Sequence, residues 1–292
     1  MRSWLFVPAS SPRKLEKATA TGADVLLLDL EDAVAPAEKQ AAREAAAVYI
    51  ASRDAGSRQQ IYVRINGFDT GLADADLEAV GPAAPAGVML PKCLSGRDVA
   101  DLDNRLSVLE ARNGLEAGGI AIAVIAGETA GSVFEMGGYR DCSPRLAALT
   151  WGSEDLAGDI GAREIRTGNG FTEPFALARS LALFGASAAG VAAIDTVFAD
   201  FRDPDGLRAE ARRAARDGFA GKLAIHPAQV PVINAAFTPT AEEVEMADRV
   251  IEAVEQGGGV AQVDGRMVDL AHVRQARRVL ARAALAEDDE AE

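Results

Sequence analysis

LAALTWGSEDLAGD, residues 146–159, is the stretch whose reading decides the fold. It opens as a short apolar run, breaks at Gly152, and delivers Glu154 and Asp155 just past the break. A buried strand that ends in a glycine turn and then an acidic pair is a recurrent way to hold carboxylates over a site. IAIAVIAGETAG, residues 120–131, has the same form: the run ends at Gly127, and Glu128 follows.

Working outward, six more runs share this character, at residues 3–8, 25–29, 61–66, 87–91, 191–195 and 223–226. Each is short and nearly all apolar. Helix-length segments lie between them, notably 37–53, 97–113, 174–188 and 206–217. Ser10 or Ser11 can cap a helix with Pro12 in its first turn, and Gly22 ends it. Such spacing is the signature of parallel strands buried on both faces. Eight units in about 235 residues predict an α/β fold, a (β/α)8 TIM barrel, over residues 1–236. An open doubly wound sheet is the alternative, but the first turn lacks the GxGxxG fingerprint. Beyond the barrel come a helical pattern at 241–256, three glycines at 257–259, the extended piece VAQVDGRMVD and a basic helix at 271–286. This C-terminal helical extension, 237–292, ends in an acidic tail at 286–292. It is expected to be too small for a core of its own and to pack on its own or a neighbouring barrel.

Of the 292 residues 49% are hydrophobic, enough for a large core, and only 5% are aromatic, which favours helices packed on aliphatic strands over a β-sandwich. A net charge of −14 argues against nucleic acid as the main partner, while leaving room for a local basic patch to hold a phosphorylated group. Cys93 and Cys142 are too few for a disulfide framework and form no metal pattern, so reduced thiols in a cytoplasm are expected. The N-terminal apolar run is too short for a signal peptide. No uninterrupted apolar stretch reaches the ~18 residues of a membrane span.

A parallel barrel places its site at the carboxyl ends of the strands. The residues ending the runs are Pro8; Asp29, Glu31 and Asp32; Arg64 and Asn66; Pro91 and Lys92; Glu128; Glu154 and Asp155; Asp195; and His226. Glu128 and Asp155 end adjacent strands, which lie about 4.8 Å apart, so both carboxylates can reach one small cation. Two carboxylates plus water and substrate oxygens suit Mg²⁺. Zinc fits less well, because sulfur is absent and His226 lies two strands away. The plainer alternative is that both acids cap the helices that follow them. Arg64 either clamps a substrate oxygen or pairs with Asp29 or Glu31. Arg13, Lys14 and Lys17 form either a phosphate patch or a solvated helix face. His226 either contacts a ligand or is structural.

LFVPASSPRKLEKA, LLLDLEDAVAPAEK, YVRIN, GVMLPK, GETAGSVF, LTWGSEDLAGDIGA, AIDTVFADFRD, GKLAIHPAQVPVIN and QVDGRMVD together resemble the citrate lyase β-subunit-like family, the CoA-linked branch of the HpcH/HpaI aldolase superfamily. The resemblance covers nearly the whole chain in order. It departs at PASSP, where many relatives carry PGN or PGS. It implies a Mg²⁺-dependent barrel enzyme, with Mn²⁺ as substitute, that cleaves a malyl-CoA or citramalyl-CoA type thioester to acetyl-CoA and a 2-oxo acid. CoA thus enters as part of the substrate. The same resemblance implies Glu128 and Asp155 as metal ligands and Arg64 as the oxygen clamp. Phe6, Arg13, Lys17, Glu154, Ile225 and His226 would line the thioester site, with Asp29, Glu31 and Asp32 behind Arg64. Asp264 would be an acid/base that enters a neighbouring subunit's site in a trimer or its multiple. Two other outcomes fit the same motifs: hydrolysis of malyl-CoA, and a citrate lyase β subunit acting on an acyl-carrier-protein thioester within a complex.

Overall fold

The computed structural model describes residues 1–53, 56–168 and 170–290, with side chains as far as residue 284. The expected acidic tail falls outside the residues whose side chains are described. The chain divides into two compact units, Met1–Asn234 and Ala235–Glu292.

The first unit is a closed barrel of eight parallel strands. In chain order these are β1 (Ser3–Pro8), β2 (Val25–Asp29), β3 (Gln60–Arg64), β4 (Gly87–Cys93), β5 (Ala121–Ala126) and β6 (Leu146–Trp151). A small antiparallel hairpin, β7 (Arg166–Thr167) with β8 (Gly170–Phe171), interrupts them before β9 (Ala192–Asp195) and β10 (Gly221–Ala224) complete the ring. The barrel closes in the order β1-β10-β9-β6-β5-β4-β3-β2. Around it run α1 (Pro12–Ala18), α2 (Lys39–Ala51), α3 (Ala73–Val80), α4 (Gly96–Asn113), α5 (Ala130–Phe134), α6 (Ser153–Ile160), α7 (Glu173–Ala189) and α8 (Pro204–Asp217), and α9 (Val230–Phe237) follows β10. The β7–β8 hairpin was invisible in sequence, because its two-residue strands carry no periodicity. The edge of Trp151 meets Phe171 with ring centroids 5.3 Å apart.

Side chains alternate along each strand, so every second residue faces the barrel interior. Trp4, Val25, Leu27, Tyr62, Met89, Ala123, Ile125, Ala148, Ile194 and Leu223 fill it. The Trp4 and Tyr62 rings pack at 4.9 Å, and Gly87 is required opposite Tyr62, because a Cβ there would stand 2.2 Å from the ring. The same alternation carries on upward. Two residues beyond Leu27 and Tyr62 come Asp29 and Arg64, which are register partners. The inward face thus turns from apolar to charged at the mouth of the barrel.

The opposite parity faces the helices. Asp195, one of the strand-end residues, belongs there rather than in the mouth, and forms a buried ionic cluster. Its carboxylate accepts from Trp151 Nε1 at 3.0 Å and Arg179 Nε at 3.1 Å, and lies 3.3 Å from Lys222 Nζ. Lys222, fully buried, also reaches Glu210 of α8 at 2.8 Å. Burial alone would raise Asp195, but Lys222 and Arg179 outweigh it and hold the carboxyl below its usual range.

The second unit holds α10 (Ala241–Gln256), the antiparallel pair β11 (Val260–Val263) and β12 (Arg266–Asp269), and α11 (Leu270–Glu290). Contrary to expectation it has an apolar cluster of its own: Ala247, Val250, Val254, Val263, Val268, Val273 and Ala276. Folding the hairpin against two helices lets small residues meet without any large side chain. Asp264 and Gly265 form the hairpin's tip, both at positive φ (50° and 77°), as a tight two-residue turn demands.

Breaking a buried ion pair leaves charge without compensation. Lys222→Met is therefore expected to lower stability by about 3–5 kcal/mol in urea unfolding at pH 7. A loss under about 1 kcal/mol would show that the surrounding arginines suffice.

Candidate active site

Glu128 sits just past β5, and its position depends on two backbone features. Gly127 turns the chain at φ 65°. Gly152, at the end of adjacent β6, leaves room for the Glu128 side chain: a Cβ at 152 would stand 2.4 Å from Glu128 Cγ. Glu128 Oε2 accepts a hydrogen bond from the Lys92 peptide N–H. The carboxyl is only 3% exposed, and burial, followed by the charge of Asp155, pushes it up to about 8. Asp155 lies in the first turn of α6, which begins one residue past Gly152. Neither acid caps its helix. The N-cap of α5 is Thr129, in a reciprocal capping box with Ser132, and α6 has no side-chain cap.

Arg64 is held on three sides. Its Nε and Nη2 grip Asp29 in a two-pronged bond at 2.8 and 2.6 Å, and Nη1 meets Glu31 at 2.8 Å. The guanidinium lies over the Phe6 ring, 4.7 Å from its centre. Burial works against its charge, but Asp29, Glu31 and Asp32 more than offset that and hold the proton more firmly than usual. Burial raises Glu31 despite Arg64 and Lys92 beside it. The proposed pairing of Arg64 with Asp29 and Glu31 is thus present, and Arg64 still borders the cavity.

That cavity, about 630 Å³, brings together residues from most of the barrel. Arg64, Glu128, Glu154 and Asp155 line it, as do Phe6, Lys14, Lys17, Ile225 and His226. Arg13 does not. Lys14 and Lys17 are spaced i, i+3 on one face of α1, and Arg13 lies one step round from Lys14. The size and the mix of apolar walls with a few charged groups suit an elongated ligand with an acidic head. His226 stacks on Phe201 at 4.8 Å, and its Nδ1 accepts from the Ala228 N–H, so it both closes the wall and caps the turn that follows. Glu154 is tied at 3.7 Å to Arg166. A second cavity, about 680 Å³, meets the first at Glu128, Glu154 and Asp155.

Lys92 is one of the strand-end residues, and the sequence alone attaches no role to it. Its ammonium pairs with Glu31 and lies 3.7 Å from Asp32 and 3.9 Å from Asp155. Its signal in sequence was weak, because nothing in GVMLPK marks a lysine at positive φ. Asp264 belongs to the second unit, where it pairs with Arg249 and is half exposed.

Among the described residues no group of three or more His, Cys, Asp or Glu side chains could hold a metal ion. An ion at Glu128 and Asp155 would therefore draw its remaining ligands from water and substrate. That suits Mg²⁺, a hard ion that rarely has an all-protein cage. The buried Glu128, raised by a neighbouring acid, fits such an ion.

The family model described as HpcH/HpaI aldolase/citrate lyase matches residues 2–227. A (3S)-malyl-CoA thioesterase of Cereibacter sphaeroides is 37% identical over 97% of this chain and 94% of its own length. An L-malyl-CoA/beta-methylmalyl-CoA lyase of the same species is 33% identical over 97% of this chain and 94% of its own. The crystal structure of CitE from Mycobacterium tuberculosis with magnesium, acetoacetate and coenzyme A superposes with a TM-score of 0.78 at 34% identity, covering 97% of this chain and 98% of that one.

Three measurements test this geometry. Gly152→Ala should displace Glu128 and weaken Mn²⁺ binding on the order of 10–100-fold by calorimetry, with the fold kept. Glu128 has a folded pKa above its unfolded value of 4.5. The native state therefore holds a proton the unfolded chain has released, so its contribution is complete below about 4.5 and is lost as pH rises through about 8. Metal-free protein should lose stability over that window, and Glu128→Gln should flatten the slope. Mn²⁺ binding at pH 7 should release about one proton.

Proposed function

This chain belongs to the HpcH/HpaI aldolase/citrate lyase family, and from that premise we propose that it is a Mg²⁺-dependent carbon–carbon lyase acting on a β-hydroxyacyl-CoA. The substrate is of the malyl-CoA or citramalyl-CoA type, and the products are acetyl-CoA and a 2-oxo acid. One observation carries this reading: the Glu128–Asp155 pair and Arg64 line the same cavity as Lys14, Lys17 and a set of apolar groups. An acidic end that invites a cation, joined to a basic and apolar groove, matches a ligand that is a small hydroxy acid at one end and a phosphorylated thiol ester at the other.

When bound, Mg²⁺ would supply Lewis acidity to the oxygens of the hydroxy-acid end. Glu128 and Asp155 would hold it. Arg64, locked by Asp29 and Glu31, presents fixed positive charge where negative charge develops on oxygen. In the cleavage the hydroxyl would pass its proton to solvent water, its electrons forming the new carbonyl while the C–C bond electrons pass to the acetyl-CoA enolate. Asp264, supplied by a neighbouring copy in a trimer or its multiple, would return a proton to that carbon. Phe6, Ile225 and His226 would flank the thioester, with Lys14 and Lys17 facing phosphate.

Hydrolysis of the thioester is the second reading, favoured by the 37% identity to a malyl-CoA thioesterase. The assay that separates them supplies malyl-CoA and citramalyl-CoA with Mg²⁺ and follows both the phenylhydrazone of the released 2-oxo acid and free CoA thiol. The lyase gives the hydrazone without free thiol, and the reverse establishes the thioesterase. Arg64→Lys, which keeps the charge and loses the two-pronged grip, should lower kcat on the order of 10²-fold. Asp264→Asn mixed with an inactive Arg64 variant should recover activity through hybrid oligomers, and no recovery would count against a shared site.

A further inference from the structure

Lys92 has no task in the reaction just described, yet its backbone and its side chain both engage the site. It adopts φ 50°, a conformation uncommon for a residue with a side chain. The strain has a local origin, because β4 slips register against β5 between Leu90 and Cys93. Such an irregularity re-aims the peptide groups inside it. The 92 peptide N–H consequently points at Glu128 Oε2, a bond that regular pairing would not offer. The ammonium engages other acids of the site. It pairs with one oxygen of Glu31, whose second oxygen meets Arg64 Nη1 at 2.8 Å, and it stands 3.9 Å from Asp155 Oδ1. One chain of charges therefore runs Arg64–Glu31–Lys92–Asp155.

We propose that Lys92 is a positioning residue with two separable parts: its left-handed peptide group fixes the Glu128 carboxylate, and its ammonium, placed between Glu31 and Asp155, ties the oxygen clamp to the cation site. The inference rests on Glu128 and Asp155 being cation ligands. It also implies an electrostatic brake, since a positive charge beside Asp155 competes with the incoming ion. Lys92 would hold Glu31, and through it Arg64, in register while weakening the site's hold on metal.

The two parts can be taken apart by substitution. Lys92→Gly keeps the N–H and adopts the left-handed backbone without steric cost, so the peptide group stays while the ammonium and its aliphatic stem are lost. Lys92→Arg restores the charge. Mn²⁺ affinity is measured first, by calorimetry without substrate, and then KM and kcat on malyl-CoA. The glycine variant is expected to bind Mn²⁺ about tenfold more tightly than wild type while KM rises about fivefold or more. The arginine variant should return both toward wild type. A residue that merely packs would shift metal affinity the other way or leave it alone. Mn²⁺ affinity in Lys92→Gly that is unchanged within about twofold, or weaker, overturns the proposal. Should the glycine variant fold poorly, Lys92→Met removes the same charge and keeps the bulk, with the same direction expected. Wild-type protein that binds no Mn²⁺ at all overturns the functional reading itself, a failure visible before any substitution is made.

Discussion

Two acids that repel one another are held together at the mouth of this barrel, and the rest of the site is arranged around that tension. Glu128 is buried, and burial together with Asp155 drives its carboxyl toward the neutral form. Such a group persists in a low-dielectric position only if the surroundings over-determine it. They do so through three unrelated features: the left-handed Gly127, the missing side chain at Gly152, and the Lys92 N–H. Each comes from a different strand end, so the pair exists only when β4, β5 and β6 are in register. Under the proposed function a cation is the partner of this pair, and its binding would displace the proton that Glu128 holds.

Around the acids the charges are graded. Asp29 and Glu31 lock Arg64, Lys92 links Glu31 to Asp155, and Lys39 bonds the Leu30 and Glu31 carbonyls and Asn66 at 2.7–2.8 Å, steadying the loop that carries Glu31. Arg64 is thus not free to swing toward a ligand, and its value lies in being fixed before the ligand arrives. Other residues of the cavity lining are held differently. Lys14 and Lys17 are exposed on a short helix, and Ile225 is 42% exposed at the end of β10. Asp29, Glu31 and Glu128 are thus buried and tightly bonded, while the lysines of the lining stay accessible to solvent.

Much of this was legible because two rules act locally. Short apolar runs separated by helix-length segments give parallel strands, and all eight barrel strands lie where those runs do. Side-chain alternation then puts Asp29 and Arg64 on the inner face above Leu27 and Tyr62. Misplacements arose where locality fails. Asp195 ends its strand like Asp29, but its parity sends it outward into the cluster with Lys222. Arg13 and Lys17 share a helix face by spacing, yet the wall of the cavity takes Lys14 and Lys17. The second unit's valine cluster joins α10, the β11–β12 hairpin and α11, a packing that no single run of residues reveals.

By itself, the sequence determined the barrel, the strand ends and the identity of the acids, since hydrophobic period and glycine breaks are properties of a few consecutive residues. Tertiary structure decided what those acids touch. The slip in β4 that turns Lys92 toward Glu128, the space Gly152 leaves for Glu128, and the sharing of Glu31 between Arg64 and Lys92 depend on register between strands. Register is a relation between distant segments, and it takes the closed ring of strands to set it.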